Sequence, residues 1–224
     1  MSGKLPRLVR VGVLVSGRGS NLQAIIDAIE AGTLSAEIAV VLSNKQDAGG
    51  LERARKHGAP AVWLDAKPFA GRPDSREAYD RAVLEVLQKH EVDLVLLAGY
   101  MKIVTAVLIT AYENRMMNIH PSLLPSFPGL DVQKKAIDPG CKIAGCTVHF
   151  VTEGVDEGPI IIQAAVPILE GDTPDTLAAR ILEQEHRIYP RAIQLYAEDK
   201  VRVEGRRVSV ADARPVATGF HNPG

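Results

Sequence analysis

Residues 9–15 read Val-Arg-Val-Gly-Val-Leu-Val, residues 16–21 read Ser-Gly-Arg-Gly-Ser-Asn, and a periodic segment, 22–31, follows. A short apolar run closed by Ser16-Gly17 is the pattern of a strand buried on both faces. Leu22, Ile25, Ile26 and Ile29 then share one side of a helix that Gly32 stops. The unit is strand, glycine-rich turn, helix, and it recurs. Residues 37–42 predict a second strand. Asp47 is placed to cap a helix through Lys56 that His57-Gly58 ends. Residues 60–64 form a third, short strand. Asp74-Ser-Arg-Glu77 has capping-box spacing ahead of a helix over about 75–90. Residues 92–98 (Val-Asp-Leu-Val-Leu-Leu-Ala) are the clearest central strand. A helix over about 105–113 leads to a further strand that ends at Asn118. Apolar strands alternating with helices predict an α/β, doubly wound, mostly parallel sheet.

After Gly140 the pattern changes. Residues 145–151 and 159–167 are strands separated by a turn over 152–158, which predicts antiparallel additions in the C-terminal third. Thr173-Pro174 opens the longest helix, which Pro190 is expected to bend. Residues 200–210 alternate around Gly205 as a small edge hairpin. We expect a single domain over 1–211, with a nucleotide-binding half to about 113 and a catalytic half from about 114. A flexible tail over 212–224 contains Pro215, Gly219 and Pro223.

The totals bound the class. With 46% hydrophobic and 24% charged residues the chain has the makeup of a soluble globular protein. Its 26 basic and 27 acidic residues advertise neither a nucleic-acid nor a membrane surface. The two cysteines, Cys141 and Cys146, supply no disulfide framework and no second Cys/His pair for a metal, so free thiols in a reducing cytoplasm are expected. The apolar run 11–15 is too short for a signal peptide, and no run approaches membrane-spanning length.

Two stretches carry chemistry. The Gly17-x-Gly19 turn opens a helix, whose amides and dipole favour an anion. A dinucleotide site would need a third glycine and a later acidic residue; Leu22 and Leu42-Ser-Asn-Lys45 stand there instead. A single phosphate gripped by Gly19, Ser20 and Asn21 suits the sequence better, the alternative being a turn without a ligand. The second stretch, Asn118-Ile-His-Pro-Ser-Leu-Leu-Pro-Ser-Phe-Pro-Gly129, follows a core strand. Asn118 and His120, two apart, project from one face and offer a fixed dipole beside a proton carrier. Pro121 keeps His120 extended. The competing reading is a structural Pro-rich loop with a surface His. His149, in mid-strand, reads by default as a packing residue. Asp156 reads alone as a turn former, but beside His120 it would favour the imidazolium and raise that pKa. Glu185 next to His186 reads by default as a solvated face. Trp63 and the tyrosines are too scattered for a stacking surface.

Ser16-Gly-x-Gly-Ser-Asn-Leu-Gln23, Asp74-Ser-Arg-Glu-x-Tyr-Asp80 and Leu97-Ala-Gly-Tyr-Met-Lys-Ile103 occur in order with two longer motifs. These are Asn118-Ile-His-Pro-Ser-Leu-Leu-Pro125 and Val148-His-Phe-Val-Thr-Glu-x-Val-Asp-x-Gly-Pro-Ile-Ile-x-Gln163. On these motifs the chain resembles the folate-dependent formyltransferases over about residues 11–199. The resemblance implies a catalytic trio of Asn118, His120 and Asp156. It implies that Gly19, Ser20 and Asn21, with Glu185, hold phosphoribosylglycinamide. It assigns the folate to Arg76, Met101, Lys102, Ile103, Val104 and Asn118, and to the turn Thr152, Glu153, Gly154, Val155 and Asp156. The implied reaction moves a formyl group from 10-formyltetrahydrofolate, a co-substrate, to the substrate amine in purine synthesis, without a metal. Arg76 is a sensible forked partner for folate carboxylates. The chain departs from the pattern at Leu130-Asp-Val-Gln-Lys-Lys135, where relatives carry a His-containing segment. It also has Lys102 for the commoner Arg, and Leu182 at an often polar position.

Other readings predict other architectures. A 10-formyltetrahydrofolate hydrolase would use the same trio with water as acceptor, normally behind an amino-terminal regulatory domain; here the first strand begins by Val9. A methionyl-tRNA formyltransferase would add a carboxy-terminal nucleic-acid-binding domain, for which the neutral charge and short tail leave no room. A non-catalytic nucleotide-binding protein explains the turn but not Asn118, His120 and Asp156 together. The expected partners are small molecules, with no nucleic acid and no membrane, and the expected state is monomer or homodimer.

Overall fold

The computed structural model describes residues 7–212. Its elements are β1 (Val9–Val15), α1 (Ser20–Glu30), β2 (Ala36–Ser43), α2 (Gly49–His57), β3 (Ala61–Trp63), α3 (Ser75–Lys89) and β4 (Leu94–Leu97). There follow α4 (Ala106–Ala111), β5 (Met116–His120), α5 (Val132–Ile137), β6 (Ile143–Phe150), β7 (Ile160–Pro167), α6 (Pro174–Ala197), β8 (Val201–Glu204) and β9 (Arg207–Val210). Seven strands form one sheet in the order β3-β2-β1-β4-β5-β6-β7, parallel through β5 and antiparallel at β5/β6 and β6/β7. β8 and β9 pair separately.

The chain leaves β1 toward β2 on one side and returns to β4 on the other. In open α/β sheets, ligands sit in the crevice outside the strand carboxyl ends at such a reversal. The loops after β1 and β4 therefore border the expected crevice. The sheet is covered on both faces. Val11, Val13 and Val15 face Leu22, Ile25 and Leu51 and the α6 residues Ile181 and Tyr189. Leu14, Leu42 and Val95 face Tyr79, Val83, Leu87 and Leu108. Gly12 is needed beneath α3, because a Cβ there would lie 2.7 Å from Leu87 Cδ2.

Several local expectations need correction. Asp47 does not cap α2; the N-cap is Ala48, with no side-chain bond. That start is set by packing, since Gly50 N–H donates to the Gly17 carbonyl at 3.1 Å. Asp74 occupies the N-cap of α3, but no capping box forms. Ion pairs with Arg81 and, at 3.5 Å, with Arg72 hold its carboxylate instead. β5 does not stop at Asn118 but continues to His120, because pairing with β6 extends to His120↔Thr147. The departing segment after Leu130 folds into α5, which buries Val132 and Ala136 one turn apart. α6 starts at a capping box of Thr173 and Thr176, and Pro190 lies within the helix without ending it. The tail expectation lies outside the described residues beyond Asp212.

Candidate active site

The glycine-rich turn is shaped by its neighbours. Gly19 adopts φ +73° as the N-cap of α1, and a Cβ there would sit 2.7 Å from Gly50 Cα. Arg53 Nε donates to the Arg18 carbonyl at 2.9 Å. Ser20 begins α1, and Asn21 turns inward, its Nδ2 donating to Glu185 Oε2 at 2.6 Å. Asn21 Oδ1 is buried with no hydrogen-bond partner among the described residues. Glu185 is 7% exposed, so the solvated-face reading fails for it. α6 aims this carboxylate at the turn across 164 residues of chain. His186 next door is half-buried beside Ser20, Gln23, Asp27 and Arg53 in a groove of about 420 Å3.

Burial pushes the Glu185 carboxyl above its ordinary range, against the opposing effect of the Asn21 hydrogen bond. The sign follows by linkage: the folded state holds this proton more tightly than the unfolded chain does. Glu185 thus costs stability once pH rises above the ordinary value of 4.5, increasingly until its raised value is passed. Glu185→Gln is expected to melt roughly a few degrees above the native chain at neutral pH, the gap closing as pH falls toward that ordinary value. Differential scanning calorimetry across pH checks this; a native chain more stable than the variant at neutral pH would refute it.

The second cluster forms where β5, β6 and the β6–β7 turn meet. Asn118 stands opposite His149 in the antiparallel register. Their Nδ2 and Nε2 atoms are 3.2 Å apart. His149 Nδ1 lies 2.8 Å from the Phe150 carbonyl, which can only accept, so Nδ1 carries the hydrogen. Burial lowers the His149 pKa, with the Phe150 carbonyl and Asp156 opposing. In the neutral ring Nε2 is therefore an acceptor, and the Asn118 amide must donate to it. That bond uses one of the two amide hydrogens of Asn118.

His120 is 6% exposed. Its Nε2 donates to the Phe127 carbonyl at 3.1 Å, and its Nδ1 lies 3.4 Å from Asp156 Oδ2. Asp156 is a non-glycine residue at φ +56°, a strained setting that aims its carboxylate inward from the turn. Oδ2 also accepts from Gly129 N–H at 2.9 Å, and Oδ1 lies 3.7 Å from His149 Nε2. Three segments thus meet around one carboxylate. The proline-containing loop is pinned from the sheet: Thr147 Oγ1 donates to the Ser122 carbonyl at 2.7 Å, and Gln163 Nε2 to the Leu124 carbonyl at 2.8 Å. His149, read from sequence as packing, belongs to this cluster. Only the strand register reveals it.

Beyond Asn118 and Asp156, the residues assigned to folate are exposed or half-buried. Met101 and Ile103, after β4, are 63% and 60% exposed, and Val155 on the β6–β7 turn is 51% exposed. Leu130 is another exposed apolar side chain, on the loop after β5. Val104 is half-buried, and the Lys102 ammonium lies 4.6 Å from the centre of the Tyr79 ring. Thr152 and Glu153 are exposed and Gly154 half-buried on the turn. Arg76 is exposed in the first turn of α3. Nothing brings Arg76 into contact with the Asn118–His120–Asp156 cluster. Among the described residues, no group of three or more His, Cys, Asp or Glu is arranged to hold a metal, and no helix is long and apolar enough to cross a membrane. Cys141 and Cys146 are both free, and burial pushes the Cys146 thiol up to about 12.

The formyl transferase family profile matches residues 9–193. Over 195 residues the chain is 45% identical to phosphoribosylglycinamide formyltransferase of Escherichia coli (strain K12), covering 87% of this chain and 90% of that protein. It is 50% identical over 195 residues to a trifunctional purine biosynthetic protein adenosine-3 of Drosophila pseudoobscura pseudoobscura. That match covers 86% of this chain but only 14% of the Drosophila protein. Glycinamide ribonucleotide transformylase 1 from Symbiobacterium toebii superposes with a TM-score of 0.89 at 54% identity, covering 95% of this chain and 100% of that one.

Proposed function

The chain belongs to the formyl transferase family, and from that premise we propose that it moves the formyl group of 10-formyltetrahydrofolate to the amine of phosphoribosylglycinamide. The setting is cytoplasmic purine synthesis. The observation that carries the reading is the meeting of Asn118, His120 and Asp156, with His149 behind them, in a fold whose strand reversal is flanked by a one-phosphate turn. The amine nitrogen attacks the formyl carbon, and the carbonyl electron pair moves to its oxygen. Asn118 Nδ2, held by His149, donates its second hydrogen to that oxyanion. A preorganised donor of this kind lowers the barrier by about 2.7–4 kcal/mol. The intermediate collapses as the bond from carbon to the folate nitrogen breaks. The amine has lost one proton and the folate nitrogen must gain one. His120 and Asp156, 3.4 Å apart, are the pair that carries it.

At the other end of the substrate, the phosphate rests on the Gly19, Ser20 and Asn21 amides, where the α1 dipole favours an anion. Glu185 and Asn21 Oδ1 offer acceptors for ribose hydroxyls. The apolar rim of Met101, Ile103 and Val155 suits the folate rings, and Lys102 and Arg76 suit its carboxylates. A steady-state assay with 10-formyltetrahydrofolate, with and without the amine, tests the reading. Formyl loss is expected to require the amine; equal loss without it would make the protein a hydrolase.

A further inference from the structure

Ser16 directly follows β1 and is 4% exposed. Its amide donates to the Gly99 carbonyl at 3.0 Å. Its Oγ accepts from Met101 N–H at 2.8 Å and lies 2.6 Å from Asn44 Oδ1. A hydroxyl has one hydrogen; since Met101 takes a lone pair, that hydrogen goes to Asn44, and Asn44 thereby aims the lone pair at Met101. One residue thus begins the glycine-rich turn and holds the loop after β4. The far end of that loop is tied separately, by Asp80 Oδ2 accepting from Thr105 N–H at 2.6 Å. Between those ties lie Met101 and Ile103, both largely exposed.

We infer that Ser16 is a positioning residue that couples the two ligand loops, so that filling the phosphate turn tightens binding at the folate rim, and the reverse. A ligand that orders the turn fixes Ser16, and the loop hung on Ser16 then has less freedom to lose when the second ligand arrives. Coupling of binding is reciprocal by linkage. The inference rests on the proposed transfer reaction for the identity of the two ligands.

Isothermal titration of the full chain with tetrahydrofolate, the deformylated product, tests it, without and with saturating phosphoribosylglycinamide. The native Kd for tetrahydrofolate is expected to fall about fivefold when the amine is present. In Ser16→Ala that ratio is expected to shrink to about one, while each ligand alone binds within about threefold of native. Hydrogen exchange at residues 99–104 is expected to slow on adding phosphoribosylglycinamide to the native chain but not to Ser16→Ala. Thr33→Ala, which removes a hydroxyl bonded to the Ala28 carbonyl beyond the far end of α1, should keep the full ratio. If Ser16→Ala does not fold, Asn44→Ala decides, since it removes only the group that orients the hydroxyl and should still weaken the ratio. No coupling in the native chain, or undiminished coupling in the variants, overturns the inference. Failure of the native chain to bind either ligand overturns the assigned reaction instead.

Discussion

Asn118→Ala is expected to lower kcat about 10²–10³-fold, with far smaller changes in KM and in melting temperature. The side chain is only half-buried and its hydrogen bond is to one ring nitrogen, so the fold loses little when it is shortened. In the proposed mechanism, what disappears is the donor to the developing oxyanion. Asn118→Asp should be worse, because it keeps the shape and puts a negative charge against a forming oxyanion. His120→Ala removes the proposed proton carrier and is expected to cost about 10²–10⁴-fold. Single-turnover kinetics at saturating substrates separates these losses from binding. Near-native turnover in either alanine variant would remove that residue from the mechanism.

Gly158→Ala should produce the second large effect, through geometry rather than chemistry. A Cβ at this position would overlap the Phe150 carbonyl oxygen and come within 3.4 Å of His149 Nδ1. The clash is with backbone, which cannot swing aside as a side-chain tip can. The same carbonyl accepts the hydrogen that sets the His149 tautomer, and the turn just before Gly158 carries Asp156. Moving either spoils both. Overpacking against such a neighbour costs about 1–3 kcal/mol, and at roughly 2–4 °C per kcal/mol for a chain of this size the melting temperature should drop by several degrees. Activity should fall by about 10²-fold, since displacements of about 1 Å are enough for that loss. An alanine variant with native melting and native turnover would show that Asp156 does not depend on this close approach.

The tests separate donors that act on the reacting atoms from residues that place them. In the proposed mechanism Asn118 and His120 are of the first kind, and Gly158, Ser16 and His149 of the second. That division explains why the motifs were easier to read than their roles. Asn118 and His120 stand two apart in one strand, so their shared direction follows from local backbone geometry. Asp156 read from its own neighbours as a turn former and was set beside His120 only through the family resemblance; its left-handed backbone returns the carboxylate to Gly129 and His120.

The alternation of apolar runs with amphipathic segments determined, without coordinates, that this chain builds a doubly wound sheet with an antiparallel end. Each of those signals is local, because a strand or helix must bury a face wherever it finally packs. The glycine-rich turn and the Thr173-Pro174 start of α6 were legible for the same reason. Tertiary structure alone decided which side chains meet. His149 faces Asn118 across 31 residues because of strand register, and Glu185 reaches Asn21 across 164 because α6 packs over β1 and α1. It also overrode the Asp47 cap through backbone packing, and it kept Asp74 at the N-cap of α3 while ion pairs took the side chain from the expected capping box. Periodicity says which face is buried; only pairing and packing across the sheet say what lies against it.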